Sequence, residues 1–175
     1  MNNITLAFLA LTLLAAPLPA AARTVVSGVE WELSALQGKK RGPYAPVAKL
    51  AVRPGTKYTD KVRAVVALRN PSPKGEEGLV LRYALRFQLL KKGEPKEKAF
   101  WEVPFQVDEM RVAAVKAGAE KKARVLNLKI AEQLRRLGGS GFAPVALKME
   151  IMLSPRAGDA VEGLMLDSVI EVAEN

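Results

Sequence analysis

The chain has 175 residues, with 27 Lys+Arg against 18 Asp+Glu, a formal net charge of +9, and no histidine or cysteine. That composition excludes Ser-His-Asp triads, cysteine nucleophiles, imidazole bases, His- or Cys-ligated metals, disulfide frameworks and a lipid-modified N-terminal cysteine. Hydrophobic content of 49% with 26% charged residues is that of a folded chain, and a domain of about 150 residues buries roughly 70% of its unfolded surface without a metal or disulfide.

Residues 1–22 read as a secretory signal peptide. Ile4 to Leu14 is apolar, Pro17 and Pro19 break the run, and Ala20-Ala21-Ala22 offers a small-residue cleavage site before Arg23. Met1-Asn2-Asn3 supplies no Lys or Arg. An uncleaved anchor is the competing reading, but the run is short for a span of about 20 residues. The expectation is an exported chain, periplasmic or extracellular. A single domain then covers 23–175, with no transmembrane segment after signal cleavage. The whole positive charge falls on that domain, and a basic exported protein tends toward anionic surfaces.

Along the domain, alternation of apolar and polar residues predicts strands. Val25 to Leu36 alternates first, with Trp31 on the core side. Gln37-Gly38-Lys39-Lys40-Arg41-Gly42-Pro43 is a basic turn. Val47 to Val52 is a short strand ended by Arg53-Pro54-Gly55. Val62 to Arg69 places Val62, Ala64, Val66 and Leu68 inward, and Asn70-Pro71-Ser72-Pro73-Lys74-Gly75 turns the chain. Leu79 to Leu90 is the central strand: Leu79, Leu81, Tyr83, Leu85, Phe87 and Leu89 fall on one face, with Arg82, Arg86 and Gln88 between them.

Lys91 to Lys98 is a charged connection. Phe100 to Val107 follows with Trp101, Val103, Phe105 and Val107 on one face. Pro104 cannot donate to a ladder, which places this strand at a sheet edge. After the Lys116-Ala117-Gly118-Ala119-Glu120 turn, Ala123 to Ile130 is read as a strand with Leu126, Leu128 and Ile130 inward. Ala131 to Leu137 is a short helix capped by Gly138. Val145 to Leu153 is a further strand with Val145, Leu147, Met149, Ile151 and Leu153 inward. Ser154 to Asp159 turns, and Leu164 to Val172 closes the fold. The expected class is all-β, a single antiparallel β-sandwich of about seven to nine strands with one short helix in a crossover, and a closed barrel as the alternative.

Asn70-Pro71-Ser72 ending a strand, the long Tyr83-x-Leu85-x-Phe87 strand after it, and Lys116-Ala117-Gly118-Ala119-Glu120 before another resemble bacterial extracytoplasmic immunoglobulin-like domains. The resemblance spans nearly the whole domain at the level of fold. The antibody hallmarks are absent: there is no Cys pair, and no Tyr near the start of the Val145 strand. The resemblance implies a spacer, adhesion or docking module more than an enzyme, by analogy of fold. It also implies that the central strand neighbours the Val145 strand. Arg82 or Arg86 then pairs with Glu150, and Lys148 with Asp167 or Glu171.

Carboxylates, Lys, Tyr and Ser are the groups that remain for chemistry. Glu30 and Glu32 share one strand face at about 7 Å spacing, but their outward parity reads as surface charge. Glu76 and Glu77 read as solvated turn residues. Asp108 and Glu109, or Asp159 and Glu162, are too few for calcium, which takes six or more oxygens. Gly138-Gly139-Ser140-Gly141 follows a helix rather than preceding one, so it is a turn and not a phosphate cradle. No catalytic residue, cofactor or metal is expected.

Two readings follow. The first is a non-catalytic envelope module that binds another envelope protein, with Phe100, Glu102, Pro104 and Gln106 as the edge that accepts a partner strand. The alternative is a polyanion binder for acidic glycan or an anionic lipid surface, through Lys39, Lys40, Arg41, Lys91, Lys92, Lys96 and Lys98. A sequence-specific nucleic-acid reader is not expected, because Trp31, Tyr83, Phe87, Trp101 and Phe105 all take inward parity. Only Tyr44, Tyr58, Phe100 and Phe142 are left for stacking.

Overall fold

The computed structural model describes residues 23–53, 56–154 and 163–174. The signal segment, Pro54-Gly55, most of the Ser154–Asp159 turn, and Asp159 and Glu162 lie outside the described residues. Twelve strands and one α-helix follow in chain order. They are β1 (Val25–Ser34), β2 (Leu36–Gln37), β3 (Lys40–Arg41), β4 (Ala45–Pro46), β5 (Lys49–Val52), β6 (Lys61–Arg69) and β7 (Leu79–Lys91). Then come β8 (Phe100–Trp101), β9 (Gln106–Val112), β10 (Glu120–Val125), α1 (Ile130–Leu137), β11 (Phe142–Leu153) and β12 (Met165–Glu174). The chain is mostly β, as its alternation dictates.

Two sheets share one core. The smaller runs β10-β6-β1-β4, and the larger runs β5-β12-β11-β7-β8, with β9 also pairing β7. No pairing joins the two among the described residues, so the sheets do not close into a barrel. One pairing departs from the antiparallel expectation: β5 lies parallel to β12, with Leu50 opposite Val172.

The register explains why the sheets face each other. In β7 and β11, Leu81 pairs with Leu153, Tyr83 with Ile151, Leu85 with Met149 and Phe87 with Leu147. All eight side chains are buried. In the smaller sheet Trp31 lies opposite Ala64, so the largest side chain meets one of the smallest. The Trp31 indole also donates to Ser168 Oγ on β12 at 3.0 Å, tying the sheets together. Fully burying each such apolar side chain contributes about 1.5–3 kcal/mol. On the solvent face of the larger sheet the alternating polar positions form ion pairs. Arg86 pairs with Glu150 at 2.6 Å, Lys148 with Glu150 at 2.8 Å and with Asp167 at 3.4 Å, and Arg82 with Glu109 at 3.2 Å.

The structure corrects two stretches. Phe100–Val107 is not one strand. Phe100 and Trp101 pair with Leu89 and Gln88, residues 102–105 leave regular pairing, and β9 begins at Gln106. Pro104, which lacks an N–H, sits in that break. The parity therefore changes: Val103 and Val107 are 81% and 73% exposed, while Gln106 is buried. The second stretch is Ala123–Ile130. Its strand stops at Val125, and Asn127 takes a left-handed φ of 59° that no strand continues through. Ala123 and Val125 are the buried positions, Leu126 is exposed, and Ile130 opens α1 instead of ending a strand.

Candidate functional site

At one end of the larger sheet, β5 and β12 finish together at Val52 and Glu174, and β7 finishes where β11 begins, Lys91 opposite Phe142. The helix α1 lies across this end. Ile130 anchors it in the core, and Leu134 and Leu137 pack against the core from the same face. The left-handed residue that ends it is Gly139, φ 83°, not Gly138, whose φ is −57° and whose N–H bonds the Leu134 and Arg135 carbonyls.

Between helix and sheet end lies a cleft of about 930 Å³. Its apolar wall comes from Val52, Leu134, Leu137, Phe142 and Pro144, and its basic groups are Arg53, Lys57, Lys92 and Arg135. None of these four cations has a carboxylate partner among the described residues. Of the two lining carboxylates, Glu132 is already paired with Arg136 at 2.5 Å. The Tyr58 hydroxyl is buried with no hydrogen-bond partner among the described residues. Burial, with Asp60 adding to it, holds its phenol well above the ordinary value, so it stays a neutral donor.

The basic residues expected to bind polyanions do not gather in one place. Lys39 and Lys40 lie exposed on the β2–β3 hairpin. Arg41 beside them is turned inward, donating to the Ser34 carbonyl at 2.7 Å and the Thr59 carbonyl at 2.9 Å. Lys96 and Lys98 flank a 3-10 turn, where Lys98 pairs with Glu94 at 3.8 Å. Lys91 lies at the end of β7, and Lys92 alone of the seven lines the large cleft. Its companions Arg53, Lys57 and Arg135 come from segments distant in sequence.

The expected edge is real but differently equipped. β9 pairs with β7 on one side, and no strand pairs with its far side among the described residues. Two of the named edge residues are occupied internally. Glu102 accepts the Phe87 amide at 3.2 Å and the Gln133 side-chain amide at 3.0 Å. Gln106 accepts the Lys129 amide at 2.8 Å ahead of α1. Pro104 is partly buried in the break. Phe100 is 47% exposed and meets Phe142 edge to face at 5.7 Å. The exposed apolar side chains on this rim are thus Phe100, Val103 and Val107. On the core side of β9, Tyr83 donates to Asp108 at 3.4 Å, and burial first, then the Asp108 charge, pushes its phenol up to about 12.

The carboxylates Glu30, Glu32 and Glu76 have structural partners. Glu32 pairs with Arg63, and Glu30 with Lys122 at 3.6 Å. Arg63 in turn lies 3.9 Å from the Tyr44 ring centroid. Glu76 is not the solvated turn residue expected. It bonds the Thr24 amide at 2.7 Å and Arg23 at 2.9 Å. Burial raises its carboxyl, but those donors outweigh burial and hold it below the ordinary value.

No family model and no curated protein matches this chain. Among solved structures, it is similar to the Pseudomonas fluorescens alkylpurine DNA glycosylase bound to DNA containing an abasic site analog. That match has 10% identity and a TM-score of 0.39, over 88% of this chain and 31% of that one. It is also similar to the sporulation control protein Spo0M from Bacillus subtilis. There the identity is 13% and the TM-score 0.31, over 89% of this chain and 49% of that one. This chain thus spans about a third and a half of their lengths, and likenesses this distant carry no functional argument.

Proposed function

We propose that this chain is an exported, non-catalytic module of the immunoglobulin-like sandwich class that binds another envelope protein through the open β9 edge. One observation carries the docking surface: β9 is a seven-residue edge strand that exposes Val107 near its start, with Val103 exposed just before it. On the edge of the smaller sheet, β10 exposes Glu120, Lys122 and Arg124 and buries Ala123 and Val125; β9 has exposed charges of its own in Asp108, Glu109 and Arg111, so what sets it apart is the exposed Val107. An extended partner segment adding to β9 gains backbone hydrogen bonds, and an apolar side chain facing Val107 covers the exposed valine. The signal-like N-terminus supports export, and the adjacency of β7 and β11 supports the sandwich class; the parallel β5 departs from it.

The test is affinity purification from the native envelope with wild type and the double variant Val103→Lys/Val107→Lys, washed at low and then high salt. Both sites are solvent-exposed, so the variant keeps its thermal midpoint. One stoichiometric protein retained by wild type through high salt, and lost on the variant, is the expected result. Retention by both proteins overturns the edge. Material released from both by salt favours the polyanion reading instead.

A further inference from the structure

We propose that the cleft between α1 and the end of the larger sheet is a binding site for an anionic amphiphile, a hydrocarbon chain carrying one acidic head group. This goes beyond protein docking and uses residues on a different part of the surface. The cleft, about 930 Å³, is at the upper end of ligand-pocket sizes, which run from about 300 to 1,000 Å³. Its two kinds of wall ask for two kinds of ligand surface.

Leu134, Leu137, Phe142 and Pro144 offer apolar area that a sugar polymer or a bare phosphate would leave uncovered. Arg53, Lys57, Lys92 and Arg135 form no ion pair among the described residues and outnumber the lining carboxylates Glu132, which is held by Arg136, and Glu174, a net positive charge that a neutral hydrocarbon would leave unanswered. A chain seated against the apolar wall brings its head to the basic groups. There a carboxylate or phosphate accepts charge-assisted hydrogen bonds in a partly dry site, where they are stronger than in water. The buried Tyr58 hydroxyl is an independent pointer. Tyr58 lines this cleft, its buried hydroxyl has no hydrogen-bond partner among the described residues, and an unpaired buried donor is costly to the empty protein. A ligand oxygen within reach relieves that cost. Tyr58 remains protonated and donating throughout the physiological range, because burial and Asp60 both oppose its ionisation.

The probe is dodecyl phosphate below its micellar concentration, titrated calorimetrically into the purified protein. Dodecanol, laurate and inorganic phosphate are titrated in parallel. The expected result is saturable binding at one molecule per chain for dodecyl phosphate, laurate or both, with the preference identifying the head group. Dodecanol and inorganic phosphate bind at least ten-fold more weakly.

The double variant Lys92→Glu/Arg135→Glu changes two exposed residues without internal partners. It still folds, with a midpoint lowered by no more than a few degrees because a Glu in the last turn of α1 opposes the helix dipole, and it loses at least ten-fold in affinity. Tyr58→Phe loses a few-fold in affinity while the empty protein becomes no less stable, since only an unpaired hydroxyl is removed. Equal affinity for dodecanol, equal affinity in the charge-reversed variant, or many molecules bound per chain without saturation each overturn the proposal. So does the absence of binding by either acidic amphiphile.

Discussion

Asn70 is the polar residue on which the fold depends most, and its replacement by alanine has a computable cost. It is fully buried at the end of β6. Its side-chain amide donates to the carbonyls of Lys74 at 2.8 Å and of Val115 and Lys116 at 3.2 Å, and its carbonyl accepts the Ser72 amide at 2.9 Å. The Val115 carbonyl keeps a second partner in the Glu76 amide, and the Lys116 carbonyl keeps the Ala119 amide. Alanine therefore orphans two groups, the Lys74 carbonyl and the Ser72 amide. At about 1–1.5 kcal/mol for each unsatisfied, partly buried group, the loss is about 2–3 kcal/mol. In a domain of this size that lowers the thermal midpoint by about 4–12 °C.

Asn70→Asp sharpens the test. It keeps the acceptor for Ser72 but aims a charged oxygen at three carbonyl oxygens, so at neutral pH it costs more than alanine. Its deficit shrinks in acid, when the carboxyl gains a proton to donate. Urea unfolding of both variants at pH 7 and at about pH 4 reads this out. An alanine variant within 1 kcal/mol of wild type, or an aspartate variant no worse than alanine at pH 7, refutes the assignment.

Three further predictions follow from single sites. Glu76 and Glu150 both have carboxyls below the ordinary value of 4.5, Glu150 because Lys148 and then Arg86 outweigh its burial. Their stabilising contribution is complete above the unfolded carboxylate range and fades as pH falls through the depressed folded values. Glu76→Gln and Glu150→Gln thus lose stability at neutral pH and flatten its acid dependence in denaturant titrations. Glu150→Ala leaves the half-buried Arg86 without its carboxylate beside Lys148, which keeps only Asp167, and costs about 1–2 kcal/mol, more at low salt. Glu109→Ala, by contrast, breaks an exposed pair and costs about 0.5 kcal/mol or less in the same assay. Gly163→Ala forces a Cβ to 2.8 Å from Val25 at a φ of 78°, whereas Gly118→Ala at 64° meets nothing. Gly118→Ala costs about 1 kcal/mol and Gly163→Ala measurably more, by thermal unfolding.

Strand β7 and the latter part of β11 were legible because each has one buried face, and a period of two then records burial directly; bulges in β1, which buries Val26 and not Val25, and at Val145 in β11 break that record, and β6 buries Val65 as well. The adjacency of β7 and β11 was implied by the fold-level resemblance and not by the alternation; of the pairs it offered, Arg86 meets Glu150 and Lys148 meets Asp167, while Arg82 meets Glu109 instead. Where a strand stops has no such record. Asn127 and Pro104 are single residues whose backbone geometry ends an alternation that the flanking residue types continue, so Val103 and Leu126 were placed inward and lie outside. The cleft was illegible for a different reason. Its cations come from three segments, Arg53 and Lys57 from the β5–β6 connection, Lys92 after β7 and Arg135 on α1, and only the fold brings them together. The basic runs that stood out locally were largely separate turns, and within them Arg41 served backbone carbonyls.

The break in the edge strand is filled by a side chain, and that substitution can be tested by itself. Had Phe100–Val107 continued as one strand, its main chain would have accepted the Phe87 amide. Glu102 Oε1 does so instead, at 3.2 Å, while its own amide donates to the Phe87 carbonyl at 3.0 Å. Its other oxygen accepts from Gln133 on α1 at 3.0 Å. One carboxylate therefore closes the ladder gap and fastens the helix that walls the cleft. Glu102→Ala leaves the Phe87 amide without its acceptor and α1 without this tie. Hydrogen exchange should accelerate at Phe87 and across Ile130–Leu137, with Leu81 and Tyr83 unchanged on the same strand. Gln133→Ala should accelerate the helix alone and leave Phe87 protected. Equal protection of Phe87 in wild type and Glu102→Ala would mean that the main chain closes the gap without the carboxylate. The helix would then owe its position to Ile130, Leu134 and Leu137.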